Sequence, residues 1–266
     1  MNSRICPHTG LKLVEVAQQI AFRVQQNEHP AISAPARYVH TKCRSWGRYD
    51  TIGWTLYLSD AAICVFQETI APFKRNVGAV DPLAKVASQL GIKLEALIDK
   101  VDADWEEKQF LKTGTLPSRW RKSRGFHVVN LPTHGWLVDI EAPESISAIE
   151  QLFPKLLIKV GIKNLDVSHL RSGNRTLTTS IAERIRSVTL FDGSGPLGIA
   201  FDSRHGSGTN YAIWFRVSAQ EPVNPLGGAQ PQNFTLPAME VLASKQISHD
   251  DYALVTAARL FKIRVL

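Results

Sequence analysis

The chain has 266 residues, of which 44% are hydrophobic and 21% are charged, and it carries 31 Lys and Arg against 24 Asp and Glu. These values are typical of a globular protein and exclude a disordered, collagen-like or coiled-coil chain. No run of 18 apolar residues predicts a membrane span, and the first residues lack the apolar stretch of a signal peptide, so we expect a cytoplasmic protein. The net charge of +7 is typical of proteins that meet anions such as nucleic acid, anionic lipid or a phosphorylated ligand.

The three cysteines, Cys6, Cys43 and Cys64, predict reduced thiols, because any disulfide pairing leaves one of them over. No CxxC pair occurs, and His40 with Cys43 is the closest pair with ligand-like spacing. Since nothing supplies a second pair of ligands, we expect no metal site. The commonest cofactor and hydrolase signatures are also absent, namely GxGxxG, GxxxxGK[ST], HExxH and a GxSxG in its strand–turn–helix context.

Residue periodicity predicts an α+β fold with a mixed or antiparallel sheet, because strands gather toward both ends of the chain with helices between them. The predicted strands are 37–40, 55–58, 136–140, 198–202, 210–217 and 261–265. The predicted helices are 11–26, 83–90, 94–110, 146–160 and 178–188, together with a helix that begins after Ser59 or Asp60 and ends near residue 70. Ser59 or Asp60 is the predicted cap of that helix, and Asp81 with Pro82 marks the start of helix 83–90. Pro154 is expected to break helix 146–160. We expect one domain over 1–266, with the N-terminal helix 11–26, core motifs at 36–70 and 175–217, a helical insertion at 71–174, and a tail at 218–266 in which 223–237 is a surface loop.

Two segments favour a DNA-binding regulator as an alternative function. Two short helices around Gly91, over 83–101, resemble a helix-turn-helix, and the basic run 119–124 contains Trp120, which can stack on a base. The second helix leads into acidic residues that repel a phosphate backbone, namely Asp99, Asp102, Asp104, Glu106 and Glu107. Nucleic acid is therefore not the partner that we expect.

Glu68 is the residue that points most directly to chemistry. It lies on the helix that follows strand 55–58, and Ala61 and Cys64 share its face. A carboxylate on an otherwise apolar helix face costs free energy unless it has a partner or a role, although a lone Glu is most often part of an exposed turn. A glycosidase that pairs Glu68 with Asp139 or Glu141 is one further alternative.

Two blocks of the sequence resemble the RES domain, a family named after its Arg, Glu and Ser signature residues. The first block is Gly47-Arg48-Tyr49-Asp50, Gly53, Leu56-Tyr57-Leu58 and Glu68, with Glu68 eleven residues after Tyr57. The second block is Arg175 to Ala182, Asp192-Gly193, Gly198-Ile199, Asp202-Ser203-Arg204 and Ala212 to Phe215. The early pair Arg37-Tyr38 also fits, and the resemblance covers residues 36–217.

The resemblance implies an ADP-ribosyltransferase-like fold that takes NAD as its substrate, with no other cofactor. Proteins of this family degrade NAD, in characterised cases by transferring ADP-ribose to inorganic phosphate, and many are toxins of bacterial toxin–antitoxin pairs. It implies Arg48, Tyr57 and Glu68 as catalytic residues, and Arg37, Tyr38, Ser203 and Arg204 as NAD-binding residues. We therefore expect a growth-inhibiting, NAD-consuming enzyme whose ADP-ribose acceptor is phosphate or water, with an antitoxin as a candidate protein partner.

The chemistry of these side chains agrees with that expectation. The guanidinium forks of Arg37 and Arg48 match phosphate oxygens, and the Tyr57 ring can stack on the cationic nicotinamide. Glu68 can stabilise the positive charge that develops on the ribose, and Ser203 can bind the nicotinamide amide or the ribose. A protein ADP-ribosyltransferase is a close alternative, but it usually needs an acidic residue or Gln two positions before the glutamate, where this chain has Phe66.

Overall fold

The computed structural model describes residues 2–38, 43–75, 78, 82–107, 114–206, 208–217, 234–235 and 238–266. Its strands are β1 (Ser3–Ile5), β2 (Lys12–Glu15), β3 (Ile20–Gln26), β4 (Ala36–Arg37), β5 (Gly53–Ser59), β6 (Thr115–Leu116), β7 (Arg124–Asn130), β8 (Trp136–Asp139), β9 (Gly198–Asp202), β10 (Thr209–Trp214), β11 (Arg216–Val217), β12 (Phe234–Thr235), β13 (Glu240–Gln246) and β14 (Arg264–Val265). Its α-helices are α1 (Ala62–Ile70), α2 (Pro82–Leu90), α3 (Leu94–Glu107), α4 (Ser118–Lys122), α5 (Pro143–Leu152), α6 (Pro154–Lys159), α7 (Val167–Arg171), α8 (Arg175–Arg186) and α9 (Tyr252–Leu260).

One mixed sheet organises the described part of the chain. Its strands run in the order β1-β2-β8-β9-β10-β5-β3-β7-β13, with β4 paired to β5. The β8–β9 pair is parallel and its neighbours along the sheet are antiparallel. The predicted α+β class with a mixed sheet is therefore confirmed.

A cross-strand row of side chains shows which helices share a face of this sheet. Phe22 on β3 pairs with Ser59 on β5, Ser59 pairs with Asn210 on β10, and Asn210 pairs with Phe201 on β9. Residues directly opposite each other on neighbouring strands point to the same face. These four side chains therefore form one row, which we call the 22–201 row, across a single face of the sheet.

Two groups of helices pack on this face, one at each end of the 22–201 row. Phe201 belongs to a buried cluster with residues of α5, α7 and α8, such as Ile149 and Ile181. Phe22 packs on the cluster of α1 and α9 at the other end, where Phe66 stacks on Phe126 with 5.6 Å between ring centroids. Ser59 and Asn210 lie between the two groups, so the middle of the row is polar.

The predicted helix over 11–26 is wrong, because this segment forms β2 and β3. Gln18 adopts a positive φ of 48° in the connection between the two strands. Burial in β3 alternates, with Ala21 and Arg23 buried, and all seven of its residues pair with β7. The apolar residues of this segment recur at spacings of three and four, which fit a helix, and also at a spacing of two, which fits a strand. Pairing with distant strands determines which of the two structures forms.

The predicted helical insertion over 71–174 also needs correction. Strands β7 and β8 fall within this stretch, and both are inside the central sheet. Helices α2 and α3 occur where the sequence predicts helices, and they pack against each other. The tail over 218–266 contributes the edge strand β13 and helix α9, which the sequence analysis did not predict. The division of the chain into one domain stays a prediction.

Most of the remaining predicted elements are confirmed with shifted ends. Strands β5, β8, β9, β10 and β14 and helices α2, α3, α5, α6 and α8 occur where periodicity places them, with the break at Pro154. The predicted cap of α1 is wrong, because Ala61 occupies that position and the Asp60 carboxylate accepts the Thr209 N–H at 3.0 Å instead. Parts of the predictions at 39–40, 81, 108–110 and 223–233 lie outside the described residues. Among the described helices, none has the length and apolar character to cross a membrane.

The packing of α9 on α1 generates a stability prediction. Leu254 on α9 is fully buried, whereas Tyr252 on the same helix is 79% exposed. We expect Leu254→Ala to lower the free energy of unfolding by about 2–5 kcal/mol, because it removes buried methyl groups and leaves a cavity. Denaturant unfolding measures this change. Tyr252→Ala is the control and should change the same quantity by less than about 0.5 kcal/mol, so equal losses in both variants would contradict the packing described.

Candidate active site

A cleft opens over the middle of the 22–201 row, between the two helix groups. Its volume is about 310 Å³. Four arginines contribute to its lining, together with one carboxylate, polar groups of β5 and β10, and two aromatic rings. These residues are Arg23, Arg48, Arg175, Arg204, Glu68, Ser59, Asn210, Tyr57 and Phe201.

Glu68 reaches the cleft from the second half of α1, where it is half-buried. Its Oε1 atom accepts two hydrogen bonds, one from Ser203 Oγ at 2.7 Å and one from Asn210 Nδ2 at 3.2 Å. Cys64, one helical turn earlier, is fully buried and directs its Sγ toward Asn210 Oδ1 at 3.6 Å. The carboxylate that looked costly on an apolar helix face therefore has two hydrogen-bond donors.

The turn after β9 brings Arg204 to the cleft and Ser203 to the Glu68 carboxylate, and Ser203 is not itself among the lining residues. Ser203 is buried, and its Oγ accepts the backbone N–H of His205 at 3.1 Å, so the hydroxyl proton is free for Glu68. Arg204 donates from Nη1 to the Arg171 carbonyl at 3.0 Å. Partial burial, followed by the nearby cations Arg48 and Arg175, lowers the pKa of Arg204.

Arg48 is a buried cation with unused donors. The residue is 6% exposed, and neither Nε nor Nη1 has a hydrogen-bond partner among the described residues. Its guanidinium carbon lies 5.0 Å from the centroid of the Phe201 ring. Because burying a charge without a partner is costly, a buried arginine with unused donors is typical of a site that binds an anion.

Tyr57 forms part of the aromatic wall of the cleft together with Phe201, whose ring lies edge-on with 6.4 Å between centroids. The Tyr57 hydroxyl accepts the Tyr49 N–H at 3.0 Å, and burial raises the pKa of Tyr57 well above its ordinary value. This hydroxyl anchors residues 47–50, which we call the 47–50 loop, to β5. Tyr57 as a whole is half-buried and lines the cleft.

Arg37 and Tyr38 do not line the cleft. The Arg37 Nε forms an ion pair at 2.6 Å with Oδ2 of Asp50, which is almost fully buried. The same carboxylate oxygen accepts the Gly47 N–H at 2.8 Å, so Arg37 fixes the 47–50 loop that carries Arg48. Tyr38 is 50% exposed.

Arg23, Arg175 and Asn210 were not predicted as site residues. Arg23 is buried on β3 and donates to the Tyr57 carbonyl at 3.0 Å, and burial lowers its pKa to about 10. Arg175 begins α8 and donates from Nε to the Trp46 carbonyl at 3.1 Å. One signal was visible in the sequence, since Asn210 is an amide residue in a strand that is otherwise rich in apolar and aromatic residues.

The residues on which the nucleic-acid and glycosidase alternatives depend make contacts elsewhere in the fold. Trp120 lies in the buried cluster of α1 and α9, and Arg121 is buried with its guanidinium on the carbonyls of Leu266 and Ile247. Glu141 forms a bidentate pair with Arg171, and neither Glu141 nor Asp139 lines the cleft with Glu68. Base stacking by Trp120 and a glycosidase-type carboxylate pair therefore find no support.

Among the described residues, no group of three His, Cys, Asp or Glu side chains is arranged to hold a metal ion. Cys6, Cys43 and Cys64 are free thiols. His40, the other residue with ligand-like spacing, lies outside the described residues.

The close approach of Gly47 to Tyr57 generates a prediction. A Cβ atom at residue 47 would lie 2.4 Å from the Tyr57 hydroxyl and 2.7 Å from Asp50 Oδ1. Since both groups are buried, we expect Gly47→Ala to displace the 47–50 loop and to lower the melting temperature by several degrees. Gly173→Ala is the control, because a Cβ there meets nothing within 4 Å. Thermal unfolding of both variants checks this, and an unchanged melting temperature for Gly47→Ala would argue against the anchoring role of Tyr57.

No family model matches the chain, and no curated protein matches it. Among solved structures, it is similar to the crystal structure of the M. tuberculosis MbcT–MbcA toxin–antitoxin complex. The identity is 11%, the similarity covers 91% of this chain and 88% of that chain, and the TM-score is 0.43. These findings do not assign the chain to a family.

Proposed function

We propose that this protein consumes NAD by cleaving the bond between nicotinamide and ribose and transferring ADP-ribose to inorganic phosphate or to water. One observation carries the proposal: the cleft holds a buried Arg48 with two unpartnered guanidinium nitrogens together with a carboxylate, Glu68, that two donors fix in place. The resemblance of the two sequence blocks to the RES domain supports the same reaction. An ADP-ribosyltransferase-like relationship of the fold belongs to this proposal.

The arginines bind the pyrophosphate of NAD. Arg48 lines the cleft, and its buried Nε and Nη1 atoms have no partner within the described ranges, so its guanidinium can turn to donate charge-assisted hydrogen bonds to phosphate oxygens. Arg175 and Arg204 line the same cleft and add positive charge. Arg37, through its ion pair with Asp50, keeps the 47–50 loop in place and thereby supports Arg48.

The aromatic wall binds the nicotinamide. Tyr57 and Phe201 both line the cleft, and an aromatic face attracts a flat cationic ring. The nicotinamide is cationic only while it is attached to the ribose, so this attraction holds the substrate more strongly than the product. Release of neutral nicotinamide is therefore favoured after the bond breaks.

Glu68 stabilises the charge that develops during the reaction. The C–N bond breaks with its electron pair leaving on nicotinamide, which departs neutral, and the ribose becomes an oxocarbenium-like cation. A phosphate oxygen then forms a bond to that carbon to give ADP-ribose 1″-phosphate, or water adds and releases one proton. A preorganised carboxylate beside the ribose lowers the energy of this cationic state more than that of the substrate.

Modification of a protein side chain is the less favoured alternative. The residue two positions before Glu68 is Phe66, which is fully buried and stacks on Phe126. No polar side chain is therefore available from that position to orient an acceptor side chain. A small acceptor such as phosphate or water does not need one.

The test of the proposal is incubation of the purified chain with NAD, with and without inorganic phosphate, followed by mass analysis of the products. We expect free nicotinamide when phosphate is present, with ADP-ribose 1″-phosphate or ADP-ribose as the second product. Release of nicotinamide and ADP-ribose without phosphate identifies water as an acceptor. Intact NAD after hours with folded protein would overturn the proposal. Nicotinamide release that requires an added protein would instead favour the protein-modifying alternative.

Glu68→Gln should keep the fold and most of the affinity for NAD but lose turnover. The amide keeps the shape of the side chain and removes the negative charge that the cationic transition state needs. We expect kcat to fall at least about a hundredfold, with a much smaller change in KM. Glu28→Gln is the matched control, since the Glu28 side chain is 71% exposed. Near-wild-type kcat for Glu68→Gln would remove Glu68 from the mechanism.

Expression of the chain alone should slow bacterial growth, and Arg48→Ala should relieve this effect. Loss of charge-assisted hydrogen bonds to the pyrophosphate weakens NAD binding about tenfold to a hundredfold for each bond lost. The measurement is intracellular NAD at matched protein levels, and we expect NAD to fall before growth stops. Arg4→Ala is the control, because Arg4 is exposed and its guanidinium covers the Phe191 ring.

Two other outcomes would contradict this prediction. Slow growth with unchanged NAD would indicate a different target. Toxicity that persists in Arg48→Ala cells would show that Arg48 does not hold the substrate. The antitoxin that the resemblance implies is proposed on the same basis, as a protein partner that prevents this loss of NAD.

A further inference from the structure

Asn210 occupies the middle of a chain of polar contacts that ends on Glu68. The residue is 4% exposed on β10, directly opposite Ser59 on β5. Its Oδ1 accepts Ser59 Oγ at 2.5 Å and faces Cys64 Sγ at 3.6 Å. Its Nδ2 donates to Glu68 Oε1 at 3.2 Å.

These neighbours determine which way the Asn210 amide points. Ser59 and Cys64 both offer protons to Oδ1, and burial raises the pKa of the Cys64 thiol, which keeps it protonated. The reversed amide would bring Oδ1 against the Glu68 carboxylate, placing two acceptors about 3 Å apart. The Nδ2 group is therefore directed at Glu68.

Ser203 is oriented in the same manner on the other side of the carboxylate. Its Oγ accepts the His205 N–H and donates to Glu68 Oε1. Both hydrogen bonds fall on this one oxygen, and Oε2 has no partner among the described residues. The carboxylate is thus held by one oxygen, and Glu68 lines the cleft, so its other oxygen is the one left to take a contact from a ligand.

We propose that Asn210, oriented by Ser59 and Cys64, is a positioning residue that fixes the Glu68 carboxylate with Oε2 directed at the substrate ribose. This inference rests on the proposed function for the identity of the substrate. It assigns Asn210 a role that passes entirely through Glu68. Removing Asn210 then lowers turnover only where a working glutamate is present.

A kinetic double-mutant cycle tests that dependence. We expect Asn210→Ala to lower kcat about tenfold to a hundredfold, as for loss of a hydrogen bond to a charged group, with KM for NAD within about threefold of the wild type. In a Glu68→Gln background the same change should alter kcat less than about threefold. Asn2→Ala is the matched control, because Asn2 Nδ2 also donates to a glutamate, Glu15 Oε2 at 2.9 Å, in an exposed position.

A merely structural Asn210 would give a different pattern. It would lower kcat by the same factor in both backgrounds, and that result would overturn the inference. Where Asn210→Ala does not fold, Ser59→Ala replaces it, since it removes the donor that orients the amide. We expect Ser59→Ala to lower kcat in the wild type and to have no further effect in Glu68→Gln, and an effect in both would again overturn the inference.

Thermal unfolding without NAD separates a failure of this inference from a failure of the proposed function. For this measurement Glu68→Ala replaces Glu68→Gln, whose amide oxygen can still accept the Asn210 hydrogen bond. Asn210→Ala and Glu68→Ala should lose less melting temperature together than the sum of their separate losses, because the two residues share one contact. If the wild type leaves NAD intact, the proposed function fails, and the unfolding cycle still decides whether Asn210 holds Glu68. Strictly additive losses in melting temperature would overturn the inference whatever the protein does to NAD.

Discussion

The antiparallel pairing of β5 with β3 and β10 is the constraint on which the site depends. This pairing sets the 22–201 row, in which an apolar ring stands at each end and two polar side chains stand in the middle. Side chains alternate between the faces of a strand, so a slip of one residue would turn the row to the opposite face. The apolar ends bury the two helix groups, and the polar middle lies in the gap between them. The packing that stabilises the sheet therefore also forms the cleft.

The anionic and the cationic side chains of the cleft differ in how many hydrogen bonds they receive or donate. Glu68 receives two hydrogen bonds from groups that are themselves oriented by further hydrogen bonds. Arg48 is deeply buried, yet two of its nitrogens have no partner in the described part of the chain. The ion pair of Arg37 with Asp50 and the anchor of Tyr57 fix the 47–50 loop that carries this cation. An arginine with unused donors suits a ligand that carries negative charge. A preorganised carboxylate suits a ligand that develops positive charge during its reaction.

Local sequence patterns predicted the elements that carry the site more reliably than those that surround it. Strand β5, helix α1 and strands β9 and β10 are short segments with clear breaks on either side, and these appear where expected. The segment 11–26 was assigned as a helix because its apolar residues fit both periods, and only pairing with β7, about a hundred residues away, resolves the ambiguity. Propensity is a weak guide wherever such distant contacts decide.

The site residues show the same contrast between what local sequence reveals and what distant contacts decide. Arg48, Tyr57, Glu68 and Arg204 meet in one cleft, with Ser203 bonded to Glu68, although they are far apart in the sequence. Arg37 has the residue type that binds phosphate, but a buried aspartate thirteen positions later takes its Nε atom. Asn210 was missed because a single asparagine in a strand gives no sign of which side chains face it. Residue type is visible in a sequence, whereas partnership depends on register and packing.

The structure also shows where part of the chain's excess positive charge lies. Trp120 and Arg121 in the basic run are buried against the C-terminal part of the fold, so neither this ring nor this guanidinium is available to a nucleic acid. Four arginines instead converge on one cleft that holds a single glutamate among its lining residues. Low-dielectric walls concentrate the field of such a group and draw anions toward it. Part of the positive charge visible in the composition is therefore concentrated in the cleft that also contains the carboxylate bonded to Asn210 and Ser203.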